Sequence, residues 1–222
     1  MEDAATLSGR SDPFLQISIV VEMVFLYYGG LKLRLHPQVY EPAEDTFLLA
    51  ENLKVKEGFS ALDIGTGTGI IALLMAKRAK FVLGVDINPI AIEIAGENAR
   101  INGIKNVEFR VSDLFENVEG RFDIITFNPP YLPGKPEELE GLIDLALIGG
   151  KSGREVIDRF IEQVKNYLTP KGIVQVVQSS ITGIERTMEK FTRLGFKVEV
   201  TARKRYFFEE IVVITAMLNE SS

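Results

Sequence analysis

The sequence predicts an α/β fold, a doubly wound and mainly parallel sheet that ends in an antiparallel hairpin. Three observations lead there. From residue 44 onward, short β-branched runs alternate with segments of helical composition, as parallel strands joined by right-handed crossovers require. The first strand-like runs each reach a carboxylate, Asp63, Asp86 or Asp113, where the chain turns into a loop. The last two runs have no helix between them and can pair directly.

The first element is expected near the N-terminus. Residues 17–28 (ISIVVEMVFLYY) are apolar, but too short to span a bilayer and interrupted by Glu22. Their β-branched and aromatic content favours a hairpin arm ending at Tyr27-Tyr28. A Gly29-Gly30 turn and the alternating run 31–35 complete it. Residues 1–13 are polar and read as mobile. The expected division is an extension over 1–22, with Met23 as the ancestral start, followed by one domain over 23–222.

The succession then runs as follows. Residues 46–53 read as a helix, 60–64 as a strand, 70–78 as a helix and 81–85 as a strand. Asn88-Pro89 opens a helix over 90–102 that Gly103 closes, since Pro suits a first turn and Gly a C-terminal cap. Strands follow at 107–111 and 122–127. A Pro/Gly/Glu-rich loop to Gly150 precedes a helix over 153–167, a strand over 172–177 and a helix over 184–194. The terminal hairpin pairs 197–203 with 211–217.

Composition narrows the function classes. Of 222 residues, 46% are hydrophobic and 25% charged, ordinary values for a globular protein large enough to bury a core. A formal charge of −6 disfavours tight, phosphate-led nucleic-acid binding. With no cysteine there are no disulfides or thiolate metal sites, and a single histidine, His36, makes zinc ligation by this chain a poor reading. No metal site is expected, and a cytoplasmic location fits.

Asn128-Pro129-Pro130-Tyr131 is the most informative segment. Consecutive prolines lack N–H groups and have fixed φ, so the strand at 122–127 must leave the sheet at Asn128. That delivers an amide, rigid carbonyls and an aromatic ring to the carboxyl edge of the sheet, where open α/β folds bind ligands. Asn Oδ1 beside a fixed carbonyl can accept both hydrogens of a planar –NH2 group. An ordinary Asn-Pro turn is the plain alternative.

Asp63-Ile64-Gly65-Thr66-Gly67-Thr68-Gly69 joins a strand to a helix. Its glycines let the backbone approach a ligand closely. The spacing is G-x-G-x-G rather than the G-x-G-x-x-G of dinucleotide folds. The preceding carboxylate suits a ligand with a positive charge, such as the amino acid part of S-adenosylmethionine; a ligand-free tight turn is the alternative. Asp86 can accept from both hydroxyls of a ribose or cap the helix at Pro89, a role open to Asn88 as well. Asp113 can accept from an adenine amino group, with Leu114 against the ring.

Together these residues resemble the class I S-adenosylmethionine-dependent methyltransferases, whose Rossmann-like sheet has seven strands with the last inserted antiparallel. In that fold Asn-Pro-Pro-Tyr marks enzymes that methylate planar –NH2 groups: adenine or guanine amines of DNA or RNA, or a protein glutamine amide. The segments at 39–49 (VYEPAEDTFLL) and 146–160 (ALIGGKSGREVIDRF) resemble the eukaryotic/archaeal branch of HemK-like methyltransferases. That branch forms N5-methylglutamine in the Gly-Gly-Gln motif of class I translation termination factors.

The resemblance implies S-adenosylmethionine as cofactor. It is expected to contact Thr46, Asp63, Gly65, Thr66 and Gly67 (methionine part), Asp86 with Ile87 (ribose), Asp113 and Leu114 (adenine), and Asn128. Asn128, Pro129, Pro130 and Tyr131 are expected to hold the substrate amide. Glu41, Glu44 and Asp45 read at least as well as capping and turn residues as direct ligand contacts, and Gly149, Gly150 and Arg154 read equally as a loop that shapes or closes the substrate pocket and as a purely structural loop. A further implication is a small zinc-binding activator subunit docked near 106–113. Nucleic acid is the rival substrate class, disfavoured by the acidic charge and by the two branch signatures.

Overall fold

The computed structural model describes residues 24–134 and 141–218. The expectations for residues 1–22 and for Met23 fall outside them. β1 (Phe25–Tyr28) and β2 (Leu31–Arg34) form a separate antiparallel hairpin, turned by Gly29 and Gly30 at φ 55° and 74°. Helix α1 is Glu44–Glu51. The main sheet contains β3 (Ser60–Ile64), β4 (Phe81–Asp86), β5 (Val107–Val111), β6 (Phe122–Phe127), β7 (Leu168–Ser179), β8 (Phe196–Arg205) and β9 (Glu210–Leu218). Helices α2 (Ile70–Ala76), α3 (Pro89–Ile101), α4 (Glu155–Val164) and α5 (Ile184–Arg193) make the crossovers.

The seven strands are ordered β5-β4-β3-β6-β7-β9-β8; only β9 runs antiparallel to its neighbours β7 and β8. From β3 the chain winds outward through β4 to β5, then returns to place β6 on the other side of β3. That reversal opens a crevice between the carboxyl ends of β3 and β6, the position at which such sheets take ligands.

Period-two alternation assigns the strand residues to two apolar layers. On β6, Ile124 joins Leu49, Leu73, Met75 and Val213 beneath α1 and α2, whereas Ile125 joins Leu62, Phe160, Ile161 and Val174 on the α4 and α5 side. Helix α4 buries Ile157, Phe160, Ile161 and Val164, the i, i+3, i+4, i+7 spacing that lays one stripe on the sheet. Phe160 is fully buried and packs against both Phe115 and Phe127; its truncation to Ala would cost about 3–5 kcal/mol.

The N-terminal hairpin is attached through side-chain amides. Asn102 accepts from Lys32 N–H (2.9 Å) and donates to Lys32 C=O (2.9 Å). One turn earlier, Asn98 accepts from Arg34 N–H (2.7 Å) and donates to Arg34 C=O and to Thr68 C=O. Four helical residues rise about 6 Å and two strand residues about 6.6 Å, so these spacings match.

The observed elements differ from expectation mainly at their ends. Strand β7 begins at Leu168 rather than 172, because Leu168 pairs with Phe122 before a bulge over 169–172 restores register at Ile173. Lys171, at φ 66°, makes that bulge. The last helical turn expected before Tyr167 is a 3-10 turn, Lys165–Tyr167. Among the described residues no helix is long and apolar enough to cross a membrane.

Candidate active site

A cavity of about 220 Å³ lies over the carboxyl ends of β3, β4 and β6. Its wall includes every residue expected from the sequence to contact cofactor or substrate: Thr46, Asp63, Gly65, Thr66, Gly67, Asp86, Ile87, Asp113, Leu114, Asn128, Pro129, Pro130 and Tyr131. The fold therefore gathers into one place residues drawn from 85 positions of chain.

The glycine loop owes its path to positive φ at Gly65, Gly67 and Gly69. At Gly69 a Cβ would lie 3.0 Å from that of Ala95, so the loop can rest on α3 only as glycine. At its base Asp63 is buried and accepts hydroxyl hydrogen bonds from Thr66 (2.7 Å) and Thr126 (2.7 Å). Burial pushes its carboxyl up from 3.8 to about 7 in spite of these donors. Asp86 ends β4, where it accepts from Gly67 N–H and Asn88 N–H, each at 2.9 Å. Burial raises this carboxyl as well, against the pull of the backbone donors. Asn88 accepts from Ile90 N–H and caps α3, so Asp86 is not needed for that role.

Just after β5, Asp113 pairs with Arg159 (2.9 Å), a cavity-lining residue of α4 that sequence reasoning missed. Leu114 sits at φ 49°, unusual for a branched residue, and its carbonyl accepts from the buried Ser112 hydroxyl at 3.0 Å. This turn aims the Leu114 side chain into the cavity wall.

The opposite wall carries Asn128, Pro129, Pro130 and Tyr131. Asn128 Nδ2 donates to Asp45 Oδ2 (3.1 Å) and lies 3.4 Å from Thr46 Oγ1, whereas Asn128 Oδ1 is buried with no hydrogen-bond partner among the described residues. A buried acceptor left unpaired costs about 1–3 kcal/mol, so this oxygen is set up for a donor that arrives with a ligand. Tyr131 and Tyr40 both donate to Asp45. Burial first, then the nearby Asp45 charge, hold both phenols well above the usual tyrosine range, so they remain neutral donors.

The loop after Tyr131 folds back on this wall. Leu132 N–H donates to Leu147 C=O and Gly149 N–H to Leu132 C=O, each at 2.9 Å. Gly149 packs directly on the Pro130 carbonyl, and Gly153, at φ 73°, on that of Tyr131; neither contact leaves room for a Cβ. Arg154 is buried and donates to Thr182 C=O (2.6 Å), Gly183 C=O (3.1 Å), Thr187 Oγ1 (3.0 Å) and Asp158 (2.8 Å). It anchors the loop rather than lining the cavity. Leu142, Leu145 and Ile148 close this side with an apolar wall that the sequence alone did not indicate.

Comparison with known proteins agrees with this geometry. Residues 41–208 match the family described as methyltransferase small domain. The chain is 52% identical over 189 residues to a Methanocaldococcus jannaschii protein described as a protein N5-glutamine methyltransferase, covering 84% of this chain and 95% of that one. It is 36% identical to mouse methyltransferase HEMK2, covering 68% and 76%. Among solved structures, E. cuniculi Mtq2 in complex with Trm112, described as responsible for methylating the eRF1 translation termination factor, superposes with a TM-score of 0.64. That match has 26% identity and covers 82% of this chain and 99% of the other.

Proposed function

Because the chain belongs to the methyltransferase small domain family, we propose that it transfers a methyl group from S-adenosylmethionine to the side-chain amide nitrogen of a protein glutamine. The proposed target is the glutamine of the Gly-Gly-Gln motif in a class I translation termination factor. One observation carries the reading: Asn128 lines the cavity, and its Oδ1 is a buried acceptor with no partner among the described residues, while its –NH2 is turned to Asp45. The descriptions of the Methanocaldococcus relative and of Mtq2 support a protein amide over a nucleobase.

The residues opposite the Asn128 clamp fit the cofactor. Asp63 and Asp86 are carboxylates that burial disfavours in charged form, and Thr68 Oγ1 is buried with no partner among the described residues. An ammonium, a ribose diol and a carboxylate would satisfy them respectively. Gly67 has open space where a Cβ would project, and Asp113 with Leu114 would receive the base. When bound, S-adenosylmethionine supplies a methyl group made electrophilic by its sulfonium sulfur.

The protein's contribution is positioning. An amide nitrogen is a weak nucleophile because its lone pair is delocalised into the carbonyl. Asn128 Oδ1 and the Pro129 carbonyl would accept its two N–H hydrogens and hold the lone pair toward the methyl donor. As positive charge grows on nitrogen the N–H bonds become stronger donors, so the same acceptors bind the transition state more tightly than the ground state. Tyr131 walls off the side of the amide. No general base is needed, since the proton leaves to water after transfer.

Strand β5 is one of the two edge strands of the sheet, and Glu108, Arg110 and Val111 on it are exposed. We place the activator subunit there, any zinc belonging to the partner because this chain has no cysteine. The test is labelled methyl transfer to a termination factor and to its Gln→Ala variant, with and without the activator, alongside DNA and RNA. Incorporation is expected only into the factor that has its glutamine. Label appearing in nucleic acid instead would overturn the reading. Asn128→Ala should lose on the order of 10²-fold in kcat with cofactor affinity retained.

A further inference from the structure

We propose that Asp45 is a positioning residue that fixes which face of the Asn128 amide meets the substrate, and so makes the clamp a reader of N–H donors. The inference deepens the glutamine reading and rests on it. Asp45 lies in the first turn of α1, an ordinary place for an acidic residue. Its surroundings are not those of a helix-end charge: it is 4% exposed and, among the described residues, forms no ion pair. Its oxygens instead accept from Thr46 N–H (2.6 Å), Thr46 Oγ1 (3.2 Å), Tyr40 Oη (3.2 Å), the Tyr131 hydroxyl and Asn128 Nδ2 (3.1 Å).

An asparagine amide has two orientations of nearly equal shape, and only its neighbours choose between them. Here the choice is forced. Turning Asn128 over would bring Oδ1 to Asp45 Oδ2 at 3.1 Å, acceptor against acceptor. The Thr46 hydroxyl would not rescue it, since it already donates to Asp45. The –NH2 would then stand where Oδ1 now is, donor against the N–H groups that position should accept. Asp45 thus does at the back of Asn128 what the substrate amide needs done at the front. The two tyrosines, kept neutral by their surroundings, hold the carboxylate in place while donating to it.

The exchange Asp45→Asn is nearly isosteric but puts a donor where the acceptor was. Its Oδ1 can still accept from Thr46 N–H, so the fold should be retained, while its Nδ2 would invite Asn128 to turn over. Asp45→Asn is expected to lower kcat on the order of 10²-fold, comparable to loss of one oxyanion-type contact, with cooperative unfolding and cofactor affinity retained. In the Asn128→Ala background the same exchange should cost nothing further, since there is no amide left to orient. The pair Asp45→Asn with Asn128→Asp restores donor behind acceptor and should recover at least about tenfold over Asn128→Asp alone. Equal cost of Asp45→Asn in both backgrounds, or wild-type kcat in the single variant, would overturn the proposal.

A readout without substrate separates this inference from the function it rests on. In the free protein the Asn128 side-chain –NH2 protons, followed by ¹⁵N NMR, should exchange slowly with solvent in the wild type and rapidly in Asp45→Asn. Absence of glutamine methylation by the wild type would sink the functional reading and leave this measurement to decide the amide's orientation. Unchanged exchange would sink the orientation claim even if glutamine is methylated.

Discussion

Raising the pH should weaken the cofactor-free protein, and Asp63 is the reason. Its carboxyl moves from 3.8 in an exposed chain to about 7 in the folded protein, burial being the largest cause. Between those values the native state holds a proton that the unfolded state has released. The unfolded form therefore binds fewer protons, and stability falls as pH rises. The slope is about 1.4 kcal/mol per pH unit, so the whole contribution is on the order of 4–5 kcal/mol. It is fully present below about pH 4 and gone above about pH 7. The comparison to make is with Asp63→Asn, which keeps an acceptor toward one of Thr66 and Thr126, presents an –NH2 to the other hydroxyl, and cannot ionise. Urea unfolding of both proteins at pH 5, 6, 7 and 8 isolates the effect, because Asp86 and every other titrating group is common to the two. The variant should gain on the wild type by roughly 2–3 kcal/mol between pH 5 and pH 8. Parallel curves across that range would refute the assignment of the buried proton to Asp63.

Other outcomes follow from close contacts and from the cofactor reading. Gly149→Ala should force the Pro130 carbonyl away and lower kcat about 10–100-fold, with cofactor affinity intact; steady-state kinetics and calorimetry measure both, and unaltered kcat would contradict the packing. In Gly84→Ala the new Cβ would lie 2.6 Å from the Phe109 ring and 2.9 Å from Thr66 Oγ1. A loss of about 1–3 kcal/mol of stability, with weakened cofactor binding, is expected from urea titration and calorimetry; neither change would mean the strand yields freely. Binding of S-adenosylmethionine near pH 6.5 should release a proton, since a ligand ammonium would draw the Asp63 carboxyl back down. Calorimetry in buffers of different ionisation enthalpy reads this directly, and proton uptake would contradict it.

Much of the fold was legible because its signals are local. The strands that end at Asp63, Asp86 and Asn128 are short apolar runs stopped by residues that cannot extend them, and their boundaries came out within a residue. The start of β7 was not legible: Pro170, Lys171 and Gly172 look like a strand breaker, and the bulge they form is tolerated only because Leu168 finds Phe122 across the sheet. The same distinction governs the site. Asp63, Asp86 and Asn128 announce themselves at strand ends, where topology puts ligands. Asp45 does not, because an acidic residue in a first helical turn has a sufficient local explanation. Its tie to Asn128 spans 83 positions and exists only once the sheet has formed. Arg159 is hidden in the same way, one charge on the outer face of an amphipathic helix until Asp113 arrives beside it.

The paired asparagines of α3 give the small N-terminal hairpin an unusual standing. By occupying the N–H and C=O of Lys32 and of Arg34, Asn98 and Asn102 act as a counterfeit neighbouring strand. An edge that would otherwise be open to pairing with another chain is closed without spending backbone on it. Asn98 also grips Thr68 C=O in the glycine loop, so one amide fastens the hairpin and the loop together. A hairpin that peeled away would leave that amide half unsatisfied in the interior, and the first place to feel it would be the floor of the cavity.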